Sequence, residues 1–221
     1  MNTTQLDSIL SGVVKSNSAF KSNSTRRCSV STTLYLGVFS ADNMPLERFS
    51  NQVKTVYFVL NSDPSTSPGT HWLACVKAPG SILEFFDSYG NPPSYYHLSF
   101  PAKLKILYNH DPLQSIFSSV CGQYCIYFLY LRIFRKISLQ RISSQLRTSF
   151  KTRKLRDQYI SNFLNILSRK SAQGKGRLIT FIYAVHSPVT CQNSTTPVIQ
   201  RSHALNSIPH NFLDFSNSQT E

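Results

Sequence analysis

Four side chains in this sequence could together do thiol chemistry on a carbonyl: His71, Asp87, Gln114 and Cys121. Such chemistry needs a thiolate, an imidazole to hold and donate the proton, a carboxylate to orient the imidazole, and donors for the oxyanion. Cys121 opens CGQYCIYFLYL, which reads as the start of a helix. A thiol at that first turn feels the positive end of the helix dipole, which favours thiolate. Gly122 beside it lets a substrate backbone come close. His71 opens one apolar run, HWLACVK, and Asp87 closes the next, ILEFFD. Taken singly, each residue has a plainer use. A histidine can begin a strand at the surface, an aspartate can cap a turn, and a cysteine can pack at a helix start. Gln114 alone signals nothing. Their joint order and spacing point to chemistry.

The elements that must position them can be read next. His71–Lys77 and Ile82–Asp87 flank Ala78-Pro79-Gly80-Ser81, a turn signal, so a β-hairpin is predicted. It sets His71 and Asp87 at the same end, where facing Cβ atoms lie ~4.5–5.5 Å apart and diagonal neighbours ~7–8 Å. Both numbers are odd, so a regular ladder puts them on one face if the loop is odd, and an even loop needs a bulge. Thr55–Asn61 is a further strand, and LYLGVFSADNMP is an apolar segment ending in a turn at Asn43 and Pro45. Ala102–Tyr108 reads as a short amphipathic helix. Cys121–Ile137 is apolar nearly all round in its first turns, the pattern of a buried helix. Leu139–Leu167 repeats apolar residues at helical spacing and predicts one or two amphipathic helices.

These elements assign residues 34–170 to one domain. Residues 1–33 are expected to be a short helix or flexible arm, with Leu6, Ile9, Leu10 and Val13 as its apolar stripe. Residues 171–221 mix Ser, Asn, Thr and Pro without a sustained period and are expected to be a disordered tail. At 221 residues and 41% hydrophobic content, one domain with a real core fits and two complete domains would be tight.

The charge balance points to a class of partner. Lys and Arg number 23 against 10 Asp and Glu, an excess that favours polyanions, nucleic acid first. Between Arg132 and Arg156 stand nine basic residues and no acid: Arg132, Arg135, Lys136, Arg141, Arg147, Lys151, Arg153, Lys154 and Arg156. The stripe reads either as a non-specific nucleic-acid surface or as a solvated basic face. The chain start lacks a secretory pattern, and the longest apolar stretch is far short of the ~20 residues a membrane span needs. Five cysteines without paired spacing suggest a reducing, intracellular setting. Cys121 and Cys125, as C-x3-C with no second pair, are poor zinc spacing, so no metal is expected. Gly174-Lys175-Gly176 lacks the remainder of a phosphate loop.

The segments G-T-H-W, F-F-D-S-Y-G and Q-x6-C-G-x-x-C resemble the adenain-like cysteine proteases. That family includes the adenovirus maturation protease and relatives in Maverick/Polinton DNA transposons, and is distantly related to SUMO-specific proteases. LGVFSADNMP also resembles the transposon branch, and the likeness covers roughly residues 34–135. The resemblance implies an α+β, papain-like fold with a mixed central sheet flanked by helices. It implies His71 as general base, Asp87 as its orienting carboxylate and Cys121 as nucleophile. Gln114 and the Cys121 backbone N–H would serve the oxyanion, and Trp72 and Gly122 would line the substrate cleft. The aspartate follows the SUMO-protease form, whereas the glutamine-to-cysteine spacing of seven follows the adenoviral one. Val120 stands where SUMO proteases carry an aspartate, which argues against a desumoylating role.

The expected function is a cysteine endopeptidase that cleaves capsid-type precursors of a virus-like DNA transposon. An isopeptidase acting on ubiquitin-like modifiers and an inactive nucleic-acid-binding remnant are the alternatives. The chemistry requires no cofactor, although the resemblance implies DNA, and leaves room for an activating peptide, as regulators. A monomer acting on protein substrates, in the nucleus or a virus-like particle, is the corresponding expectation.

Overall fold

β-branched and aromatic runs supply the strands, and a computed structural model shows how they pair; it describes residues 2–20, 33–50, 54–80 and 82–172. Five strands form one mixed sheet in chain order: β1 (Thr33–Phe39), β2 (Thr55–Asn61), β3 (Trp72–Lys77), β4 (Ile82–Phe86) and β5 (Lys105–Tyr108). β2, β3 and β4 run antiparallel in sequence, while the outer strands β1 and β5 lie parallel to β2 and β4. The helices are α1 (Thr3–Phe20), α2 (Leu46–Ser50), α3 (Cys121–Phe134), α4 (Leu139–Ser149) and α5 (Arg153–Ala172). The expected α+β architecture, a mixed sheet flanked by helices, is the one formed.

α3 is the central helix. Eleven of its fourteen residues are buried, as an apolar surface on all sides requires. It packs on β3 across one side and meets α5, α4 and α1 on others. Phe128 stacks flat on Phe86 of β4, with centroids 4.7 Å apart and planes 6° apart. Burying each such ring contributes about 1.5–3 kcal/mol. The even-numbered β3 residues Trp72, Ala74 and Val76 face this core, and Leu73 and Cys75 enter a second cluster on the opposite face. Leu6 and Leu10 of α1 belong to the α3 core, and Asp7 accepts a hydrogen bond from the Tyr35 hydroxyl of β1. The packing around α3 therefore includes residues from the N-terminal segment.

The helix expected over Ala102–Tyr108 does not form. Leu104 N–H closes a turn on the Pro101 carbonyl, and Lys105–Tyr108 then pairs with Ile82–Phe85 as β5. Over so few residues amphipathicity distinguishes the two states poorly, and the open edge of β4 supplies the hydrogen bonds that decide it. The expected tail, residues 171–221, lies outside the described residues except for the end of α5.

Candidate active site

The β3–β4 hairpin carries the first pair. Lys77 faces Leu83 and Ala74 faces Phe86, so five residues, 78–82, separate the last pair of the ladder and the printed pairs run without a bulge. His71 stands just before β3 and Asp87 just after β4, so both lie at the same end of the hairpin. His71 Nε2 meets Asp87 Oδ1 at 2.6 Å, with His71 6% and Asp87 0% exposed. The ring also hydrogen-bonds Cys121, and with Nε2 held by the carboxylate that contact falls to Nδ1.

Asp87 is held firmly. Its Oδ1 also accepts from Tyr89 N–H, and its Oδ2 accepts from Asn91 N–H and the Tyr96 hydroxyl. Asn109, just beyond β5, accepts from Asp87 N–H and donates its amide to the Asp87 carbonyl, extending the β4–β5 pairing to the site. Gly90 allows this turn: it has φ of +78°, and a Cβ there would lie 2.7 Å from the Asp111 backbone. The rings of Tyr89 and Tyr96 stack on the His71 imidazole at 4.7 and 5.7 Å. Sequence reading missed Tyr89, Tyr96 and Asn109. The aromatic-rich NPPSYY after the aspartate was the available signal for Tyr96, whereas Asn109 had none.

The charges follow from these contacts. Burial opposes a charge on His71, but the bonds to Asp87 and Cys121 outweigh it and raise its pKa to about 9. Burial likewise opposes ionisation of Asp87 and Cys121, and each is nevertheless lowered, chiefly by its bond to His71. The Cys121 sulfur also accepts backbone N–H groups of Trp72 and Gly122. No side chain caps the N-terminus of α3, where Val120 is the N-cap, so helix amides face the sulfur. An imidazolium–thiolate pair is the state this geometry favours. Cys75 lies on the opposite sheet face, and burial alone pushes its thiol up. Cys125, fully buried one turn into α3, is pushed up as well.

Iodoacetamide should therefore alkylate Cys121 far faster than Cys75 or Cys125 near neutral pH. With the thiol lowered and His71 raised, the rate should hold as pH falls below the ordinary thiol range and decline only through the lowered Cys121 value. Mass spectrometry of the labelled peptides reads this directly. Comparable labelling of the three would contradict an activated thiolate.

Gln114 is fully buried beside this pair. Its Oε1 accepts from the Ser88 hydroxyl at 2.7 Å, which orients the amide, and Nε2 donates to the Ser118 carbonyl at 2.7 Å. The second Nε2 proton makes only a 3.3 Å contact with the Tyr89 hydroxyl. A cleft of about 600 Å³ runs past His71, Tyr89 and Gln114, with Tyr95, Ile116 and Arg153 among its walls. Trp72, expected to line it, is instead packed in the α3 core at 7% exposure, and its backbone serves the sulfur. Gly122 is buried in α3 beside the thiol.

The basic stripe divides. Arg132 turns inward to an ion pair with Glu84 at 2.5 Å. Arg156 is 6% exposed and donates to the carbonyls of Leu113 and Phe150, so both guanidinium groups are already engaged within the chain. Arg147 pairs at 3.3 Å with Asp111 on an exposed face. Lys136, Arg141, Lys151, Arg153 and Lys154 are exposed, and Arg135 is half-buried. Amphipathic helices must turn some positions to the core, and a basic side chain there takes whatever acceptor it meets. Among the described residues no helix is long and apolar enough to cross a membrane.

The protease of bovine adenovirus 7 is 31% identical to this chain over 99 residues, covering 37% of the chain and 49% of that protein. The chain thus spans about half the length of this curated relative. Among solved structures, an ASFV protease is similar at 28% identity over 41% of this chain and 38% of its own, with a TM-score of 0.31. ChlaDub1 from Chlamydia trachomatis is similar at 14% identity over 78% and 81%, with a TM-score of 0.37. No family model matches. The sequence similarity to the adenoviral protease is confined to those 99 residues, and the site brings together a histidine, an aspartate and a helix-start thiol, an arrangement consistent with a cysteine-protease triad.

Proposed function

We propose that this chain is a cysteine peptidase in which Cys121 is the nucleophile, His71 the proton carrier and Asp87 the orienting carboxylate. The observation that carries the reading is the buried relay in which one imidazole bonds Asp87 at 2.6 Å and a helix-start thiol on its other side. The Cys121 sulfur attacks the scissile carbonyl carbon, and the carbonyl π electrons move to oxygen. The Cys121 N–H and the loosely held Gln114 amide proton receive that oxyanion. His71 then protonates the leaving amine, and a water deprotonated by His71 releases the acyl group from sulfur.

The substrate is a protein chain laid along the cleft between Tyr95 and Ile116. Capsid-type precursors of a virus-like DNA transposon are the substrates we propose, in preference to ubiquitin-like modifiers, and the similarity to an adenovirus protease supports the peptidase part of that reading. Val120 before the thiol, in place of the SUMO-protease aspartate, supports the same choice. The test is incubation of the purified full chain with an extended peptide library and, separately, with ubiquitin-like fusions. Peptide cleavage without fusion cleavage is the expected result. Fusion cleavage alone would replace the reading with an isopeptidase, and cleavage of neither would defeat it.

Nucleic acid is proposed as a non-specific regulator that binds the exposed start of α5. Neutralising Lys151, Arg153 and Lys154 should lower affinity for duplex DNA and flatten its salt slope by about 0.9 for each phosphate no longer neutralised. Neutralising Arg132, already paired with Glu84, should not change that slope. The measurement is DNA affinity across a salt series, paired with cleavage rates with and without DNA. Equal affinity of wild type and triple variant would remove this patch as the site.

A further inference from the structure

Gln114 sits in an irregular segment, yet both peptide groups flanking it are gripped by consecutive residues of α5. The Leu113 carbonyl accepts from Arg156 Nε at 2.9 Å, with the Tyr124 hydroxyl oxygen 3.3 Å away. The Ser115 N–H donates to the Asp157 carboxylate at 3.1 Å, and the Tyr124 hydroxyl also donates to that carboxylate at 3.0 Å. Arg156 Nη1 donates in turn to the Phe150 carbonyl between α4 and α5. The Ser88 carbonyl accepts both Leu113 N–H and Gln114 N–H, at 2.8 and 2.9 Å. Arg156 and Asp157 are 6% and 8% exposed and do not line the cleft. A cation takes the carbonyl before Gln114, and an anion takes the N–H after it.

We propose that Arg156 and Asp157 are positioning residues that set the Gln114 amide for the oxyanion. The inference rests on the cysteine-peptidase reading. A donor serves a developing charge only if it is already placed, and a shift of about 1 Å can cost on the order of 10²-fold in rate. Irregular backbone does not hold such a position by itself. Here a helix about forty residues later supplies the missing rigidity.

The test uses the full chain with Asp157→Asn, which keeps size and one acceptor oxygen, and Arg156→Lys, which keeps the charge but loses the fork. Three readouts separate positioning from general damage. Peptide hydrolysis should lose on the order of 10²-fold in kcat with KM little changed. Affinity for a peptide aldehyde should fall in parallel. In that adduct sulfur bonds the carbonyl carbon, the carbonyl π bond opens and the thiol proton is taken up by the new oxygen, so a hemithioacetal must be seated in the oxyanion site. Iodoacetamide forms the sulfur–carbon bond with iodide leaving and the proton kept by His71, needs no oxyanion donor, and should react at the wild-type rate. Loss of alkylation in step with kcat, or an unchanged kcat, would overturn the positioning role.

If Asp157→Asn does not fold, Tyr124→Phe removes one hydroxyl from the same carboxylate and should give a weaker version of the same pattern. A wild-type chain that neither cleaves peptides nor binds the aldehyde would overturn the peptidase reading instead. The Gln114 side-chain amide resonances then decide the inference separately. A shift of these resonances in Asp157→Asn supports it, and unchanged resonances overturn it.

Discussion

Replacing Cys121 with alanine should reduce peptide hydrolysis to background, a loss on the order of 10⁶-fold. In the proposed mechanism every covalent step passes through this sulfur, so no neighbouring group can substitute. Cys121→Ser should be nearly as inactive, because the hydroxyl does not ionise beside His71 as the thiol does. The protein should survive the change. Cys121 is a small side chain at the edge of the α3 core, and its removal costs about 1 kcal/mol of stability. A thermal melt near that of wild type would separate lost chemistry from lost fold. DNA affinity should also be unchanged, because the thiol is not part of the basic patch. Cys75→Ala is the matching control: its sulfur is buried on the opposite sheet face, and activity should persist. Cleavage by Cys121→Ala, or its loss in Cys75→Ala with the fold intact, would assign the chemistry to another group.

Asp87→Asn should lower kcat by about 10⁴-fold, the scale set when a histidine loses its orienting carboxylate. Asp87 accepts four hydrogen bonds, from His71, Tyr89, Asn91 and Tyr96. An amide turns one of those acceptors into a donor, so at least one neighbour loses its partner and the His71 tautomer is no longer enforced. Without the carboxylate the imidazolium also loses its main support, and the His71 pKa should fall from about 9 toward or below its ordinary 6.5. Stability should fall by about 1–3 kcal/mol, the cost of an unsatisfied buried group. The dependence on pH has a definite sign. Asp87 is lowered from 3.8, so its stabilising effect is present above that value and fades as pH falls through the lowered one. His71 is raised, so its effect is complete below 6.5 and is lost as pH rises through about 9. The melting difference between wild type and Asp87→Asn should therefore be widest between the ordinary carboxylate and imidazole ranges. Melts recorded across that span, beside kcat, make the check. A variant that keeps wild-type kcat would remove Asp87 from the mechanism.

Local spacing made the chemical pair legible. Ala78-Pro79-Gly80-Ser81 announced a hairpin, and a hairpin sets His71, before its first strand, and Asp87, after its second, at one end. Cys121 at the head of an all-apolar run announced a buried helix with its thiol at the dipole's positive end. These readings succeeded because turn chemistry and apolar periodicity act over a few residues and need no knowledge of the rest of the chain. The sequence by itself determined the residue types, their order and the helix that carries the thiol.

The tertiary structure decided which partner each residue found. Lys105–Tyr108 became a strand because β4 offered an unfilled edge. Trp72 went to the core, and its backbone rather than its ring reached the sulfur. Arg132 and Arg156 looked identical to their basic neighbours in sequence, yet Glu84 took one and the loop around Gln114 took the other. Tyr96 and Asn109 joined Asp87 across gaps of 9 and 22 residues. Such contacts satisfy buried donors and acceptors that exist only once the chain has packed. No spacing rule within one segment could have named them.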